Sequence, residues 1–173
     1  MRTAGVIVAL GIALLLQTML AGMSIGGATI VNLVLVAVVY VALAYGAATG
    51  LLAGAVGGLL QDALAGGIVG VGSLPKTLVG FMVGVLGAQF IVSQPVPRFV
   101  MFVGATLVHE LCFQAVYALV EFRAFHMQYS ATLTQAVVNA AIGLIAFQAV
   151  EWGPGLVQRR DSRRAAFSSR RRF

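Results

Sequence analysis

Residues 4–23 read AGVIVALGIALLLQTMLAGM, a run without one charged side chain. Crossing about 30 Å of hydrocarbon as a helix takes roughly 20 such residues, and comparable runs recur at 30–47, 48–65, 74–92, 99–120 and 131–150. Lipid offers no partner to a backbone amide, so each run must satisfy its own hydrogen bonds as a helix. The predicted fold is therefore all-α, a polytopic transmembrane bundle of six helices. Composition excludes the water-soluble alternative, because 60% of the 173 residues are hydrophobic and 9% are charged, against about 25% charged in soluble domains. The first run is long for the apolar part of a removable leader and is read as the first span.

The second and third runs meet at YGAATG. One helix over both would measure about 54 Å, too long for one bilayer, so the chain is predicted to turn there. Glycine and proline mark further connections at GMSIGGAT, GGIVGVGS and SQPVPR, and the charged EFRAFHMQYS follows the fifth run. With six spans both termini share a side. That side holds Arg2, Arg98, Arg159, Arg160, Arg163, Arg164, Arg170, Arg171 and Arg172, while Lys76 and Arg123 fall on the other. The excess of arginine places both termini in the cytoplasm.

The chain accordingly divides into a membrane domain, 1–152, and a basic tail, 153–173, read as disordered. The tail's seven arginines are expected to meet anionic lipid, at about 1 kcal/mol per residue near such a leaflet, or an acidic cytoplasmic partner. Nucleic acid is not implied, since the +6 net charge sits almost wholly in this tail and the body is nearly neutral. A single cysteine, Cys112, excludes an internal disulfide. His109 lies in a span and His126 in a loop, with no ligand set at the usual short spacings. No phosphate loop, nucleophile elbow or water-exposed carboxylate pair is present either. Neither a catalytic constellation nor a cofactor is expected.

What the sequence does contain is sparse polarity among abundant glycine. Gly46, Gly50 and Gly54 stand four apart, followed by Gly57 and Gly58, and Gly80 and Gly84 repeat the spacing one run later. Residues four apart share a helix face. A face without side chains lets another helix approach closely, so the third and fourth spans should pack tightly, or offer that face to a partner. Asp62 and Lys76 flank the intervening turn symmetrically about Val69. At similar depth on adjacent antiparallel helices they can pair, either to close the hairpin or to hold a polar contact for a partner. In the fifth span His109 and Glu110 are followed by Gln114, and in the sixth Gln135, Asn139 and Gly143 are four apart. These stripes are read as the polar interior of the bundle, joined by interhelical hydrogen bonds, with a proton or substrate site on Glu110 and His109 as the sharper alternative.

The stretch GLLQDALAGGIVGVGSLPKTLVG resembles the signature of the MreD family of rod shape-determining membrane proteins, through Gly58, Asp62, Ala65, Gly66, Gly70 and the TLVG ending at Gly80. Length and span count also suit that family. Two positions depart from its pattern: Val31 and Asn32 stand where members often carry Pro-Asp, and Ile68 replaces the proline after the glycine pair. The resemblance implies a non-enzymatic scaffold in the bacterial inner membrane. It would bind a bitopic MreC-like protein and so help link the MreB filament to the peptidoglycan synthases, RodA and a class B penicillin-binding transpeptidase. MreD-like proteins are also similar to the S-components of energy-coupling-factor transporters in span number and glycine-rich packing, which implies the alternative of a vitamin-binding uptake module. Under either reading Gly50, Gly54, Gly58, Gly66, Gly70, Gly80 and Gly84 are expected at helix or partner contacts.

Overall fold

A computed structural model of the chain describes residues 2–20, 24–25, 28–90, 94–122 and 128–169. Arg123, His126 and Arg170, Arg171 and Arg172 of the sequence reading lie outside the described residues. Six helices follow one another: α1 (Arg2–Leu20), α2 (Leu33–Tyr45), α3 (Ala47–Ala65), α4 (Ser73–Gln89), α5 (Pro95–Glu121) and α6 (Tyr129–Ser169). Between α1 and α2 two short strands, β1 (Ser24–Ile25) and β2 (Ala28–Thr29), pair antiparallel.

Among the described residues four stretches are long and apolar enough to cross a membrane, Thr3–Leu20, Ala47–Ala65, Pro95–Glu121 and Tyr129–Glu151. The other two helices are shorter than the runs that predict them. α4 has 17 residues and α2 has 13, about 20 Å for α2 at 1.5 Å per residue. Local chemistry sets the limits of α2. Asn32 caps its start, its side-chain oxygen accepting from the Leu35 amide at 3.0 Å, and Gly46 ends it with φ 90°. α3 begins at the next residue.

A helix apolar on every face belongs inside a bundle. α2 is such a helix: Val34, Leu35, Val38, Val39, Val41 and Ala42 are all at most 1% exposed. α1, α3, α4, α5 and α6 all pack against it. Large apolar side chains face outward from the surrounding helices instead, among them Ile7, Leu15, Leu52, Leu74, Val100 and Ile145. Burial thus runs opposite to that of a soluble domain only at the rim; the centre is an ordinary aliphatic core in which Leu35, Val36 and Val39 meet Val79, Val83, Phe102, Ala105 and Ala140.

Contacts fix an up-and-down order. Asn32 and Tyr40 of α2 meet Asn139 and Phe147 of α6, a parallel register, whereas Thr106 and Arg98 of α5 meet Asn139 and Glu151 in the opposite sense. The starts of α2 and α4 therefore lie on the side opposite the N-terminus of α1. At the N-terminal side Arg98 donates to Glu151 at 2.6 Å and lies over the Phe147 ring at 4.5 Å, tying the start of α5 to α6.

α3 and α4 make the most extensive contact in the bundle, and glycine is its cause. A Cβ at Gly50 would fall 2.5 Å from the Gly80 carbonyl oxygen, and one at Gly58 would fall 2.5 Å from the Ser73 Cα. At Gly54 it would strike the Lys76 carbonyl, and at Gly84 the backbone of Ala47. These five glycines form one antiparallel seam in which backbone touches backbone. Ser73 reinforces it by donating to the Ala55 carbonyl at 3.0 Å. Gly66 and Gly70 do different work, since a Cβ at either meets nothing within 4 Å. With φ of 68° and 103° they shape the turn that ends α3 and leads to α4.

α6 continues beyond the expected end at Val150, through Gly153 and Pro154 to Ser169. The tail thus carries helical backbone up to that residue, in keeping with the helix propensity of its arginines and alanines.

The seam and the turn respond differently to substitution. Gly54→Ala is expected to destabilise the bundle by about 1–3 kcal/mol, the range for overpacking, and Gly66→Ala by roughly 1–2 kcal/mol from left-handed strain. Gly104→Ala, in α5 with nothing within 4 Å, should cost nothing and raise stability slightly, by up to about 1 kcal/mol of helix propensity. Thermal unfolding of the three variants in one detergent checks the order.

Candidate functional site

Two helices begin inside the bundle, and a helix start brings amides that have no partner in their own turn. α4 is supplied by Asp62, one turn beyond Gly58 on the α3 seam face. Its Oδ2 accepts from the amides of Gly70, Gly72 and Ser73 at 2.9, 3.0 and 3.2 Å. One carboxylate thereby closes the turn and sits where the positive end of α4 favours an anion. Lys76, 2% exposed, reaches back along its own helix and donates to the Gly72 carbonyl at 3.2 Å. Asp62 and Lys76 hence meet through the two ends of one residue, Asp62 on the Gly72 amide and Lys76 on its carbonyl. Their charges also act on each other across that residue.

α2 is supplied by two helices, α1 and α6, and by its own cap Asn32. Gln17 of α1 accepts from the Leu33 amide at 2.7 Å and donates to the Val31 carbonyl at 3.1 Å. Asn139 of α6, fully buried, accepts from the Asn32 amide at 3.0 Å and donates to the Thr106 hydroxyl of α5 at 3.3 Å. Thr106 in turn donates to the Phe102 carbonyl at 2.9 Å. Asn139 is thus the hub between α2, α5 and α6. Sequence reading singled out Asn139 but missed Gln17, Thr106 and the capping role of Asn32. An asparagine directly before an apolar run is a helix-start signal, and at Asn32 it was present.

Along α5 the polar residues separate. Glu110 accepts from Gln114 at 2.9 Å on a half-buried face. His109, 3% exposed, turns inward and stacks on Phe113 with ring centroids 6.0 Å apart, and Phe113 stacks on Tyr117 at 5.8 Å. Neither ring nitrogen of His109 has a hydrogen-bond partner. The Lys76 ammonium acts electrostatically on both His109 and Glu110. Lys76 thus lies within electrostatic reach of His109 and Glu110 as well as Asp62, where the sequence suggests two separate groups. Gln135 is buried one turn from Asn139 on α6. The Gly143 position of that stripe admits the Phe102 ring, which a Cβ there would meet at 2.5 Å.

No group of three or more histidine, cysteine, aspartate or glutamate side chains suited to a metal ion occurs among the described residues. Arg159, Arg160, Arg163 and Arg164 fall on the helical extension of α6, with Arg159 and Arg163, and Arg160 and Arg164, four apart in register.

Because Asp62 serves three amides, its loss should be felt as orphaned donors. Asp62→Ala is expected to cost roughly 3 kcal/mol, in line with about 1–3 kcal/mol for an unsatisfied buried group, and Asp62→Asn distinctly less. Exchanging the two charges, Asp62→Lys with Lys76→Asp, removes the carboxylate from those amides and should be no more stable than Asp62→Lys alone. Unfolding temperatures of the four variants test this.

Comparison with known proteins follows the same line. The family model described as rod shape-determining protein MreD matches residues 1–150. No curated protein and no solved structure gives a significant match to the chain. The matched residues take in all of α1 to α5 and the apolar part of α6, with both capped helix starts and the glycine seam. On a match of that extent, and as a multi-pass helical membrane protein, the chain belongs to the MreD family of rod shape-determining proteins.

Proposed function

We propose that this chain is a non-enzymatic scaffold of the cell-elongation machinery in the bacterial inner membrane. It binds a bitopic MreC-like protein and, through the complex, helps link the MreB filament to RodA and a class B penicillin-binding transpeptidase. The observation that carries this reading is the family match over residues 1–150. The architecture is compatible with it: α3 and α4 close on each other through the glycine seam, and the outer faces of α1, α4 and α5 present apolar side chains on which a single-span partner can lie. Both termini are assigned to the cytoplasm on the distribution of arginine. The tail from residue 153 then lies along the inner leaflet, its seven arginines favouring anionic lipid.

An S-component-like uptake module is the second reading. One observation favours it, the buried imidazole of His109, neither of whose ring nitrogens has a hydrogen-bond partner.

Gentle detergent extraction of the tagged chain from its native membrane is expected to bring an MreC-like single-span protein with it in near-equal amount. Recovery of a transporter energising module in its place would reject the scaffold. Replacing the seven tail arginines by glutamine should weaken binding of the tail to anionic vesicles by orders of magnitude, at about 1 kcal/mol per residue, while leaving partner recovery intact. Vesicle flotation and the same extraction measure both.

A further inference from the structure

α4 and α5 are each held more closely by another helix than by one another. The glycine seam draws α4 onto α3, and α5 is fastened to α6 through Thr106 with Asn139 and through Arg98 with Glu151. Between α4 and α5 the structure leaves a groove of about 240 Å³. Val100, Gly104 and Val108 line it along α5, one above the other at spacings of four, so it runs for about 12 Å along that helix at 1.5 Å per residue. Gly104 deepens it, since a Cβ there would meet nothing within 4 Å. In the seam, by contrast, the space beside each glycine is taken by a neighbouring backbone.

Chemistry, position and shape together decide what fills this groove. Every side chain that lines it is apolar, which excludes a charged or polar guest. Its mouth, at Met82, Leu86 and Val100, is exposed on the perimeter of the bundle. Since Pro95–Glu121 is one of the membrane-crossing stretches, the groove is continuous with the surface that lipid covers. Val100 lies about 8 Å from the start of α5 and Val108 about 20 Å, so the groove belongs to the N-terminal side of the membrane. One helical turn, about 10 Å wide and 5.4 Å tall, takes roughly 400 Å³, and the body of a partner helix therefore does not fit. A single inserted side chain would occupy one point of a slot and leave the rest empty, forfeiting the dispersion contacts on which packing in lipid depends. A hydrocarbon chain running alongside the helices fills the whole length.

We propose that the groove between α4 and α5 binds one acyl chain of a phospholipid from the leaflet on the N-terminal side. Met82 and Met101 adapt its walls to the guest, because an unbranched thioether conforms to an irregular surface. The site is independent of the scaffold reading, since it needs no protein partner and is measured on the chain alone.

The test uses the full deuterated chain with ¹³C-methyl methionine in protonated phosphatidylcholine nanodiscs, with Met101→Leu to assign the groove signal. Met101 is half-buried in the groove, whereas Met19 on α1 is 83% exposed and reports on the surrounding lipid. Nuclear Overhauser cross-peaks from acyl methylenes are expected at both methyls. Gly104→Leu, which fills the floor of the groove, should abolish the one at Met101 and leave the one at Met19. After a mild detergent wash, native mass spectra should show a retained phospholipid on wild type and none on Gly104→Leu. No acyl cross-peak at Met101 in wild type overturns the proposal, as does an unchanged cross-peak or equal lipid retention in Gly104→Leu. A cross-peak at Met101 from a protonated second copy in a mixed-label sample also overturns it, by making the groove a contact between copies. If Gly104→Leu does not fold, Val100→Trp, at the exposed mouth, is measured in its place with the same outcomes.

Discussion

A helix that begins inside a membrane protein cannot leave its first amides to water, and two helices of this bundle begin there. Much of the polar chemistry in the described chain is arranged around that requirement. Asp62 answers it for α4 with one carboxylate on three amides. Gln17, Asn32 and Asn139 answer it for α2, each from a different helix or turn. The few hydrophilic side chains of a very apolar chain are therefore fasteners first, and the arrangement of the surrounding helices follows from where they must reach.

The second constraint is the glycine seam, which sets the geometry in which Asp62 can act. With Gly54 against the Lys76 carbonyl and Gly58 against Ser73, α3 and α4 lie close enough that a short aspartate spans to the amides of the next helix. A bulkier seam would separate the two helices and strand the carboxylate. Packing and capping are coupled here, so the tightness of the interface and the shape of the turn between α3 and α4 stand or fall together.

Hydrophobic run length made the six helices legible in the sequence, and spacing of four made the seam legible, because both depend on periodicities of the backbone alone. The position of Asp62 opposite Lys76 was legible for the same reason. That the two would share Gly72 rather than touch was not, since it turns on the path of residues 66–72 through Gly66 and Gly70 at positive φ. The shortness of α2 was obscured by apolar residues on either side of its caps: Ile30 and Val31 look like helix to a hydropathy count but lie before Asn32. Thr106 and Gln17 escaped notice because single hydroxyls and amides in a span carry no periodic signal. That Lys76 comes within electrostatic reach of His109 depends on how α4 meets α5, which no local pattern encodes.

Asn139 caps Asn32 across a separation of 107 residues. During synthesis α2 emerges early, yet the group that completes its entry arrives only with the last helix. Until then this short, central segment has an unmet amide and too little length to hold its own place in lipid, so it depends on α1 and α3 to carry it. Biogenesis of the bundle is consequently closed by its final segment, and a chain halted after α5 would retain its hairpin seam but not a settled centre.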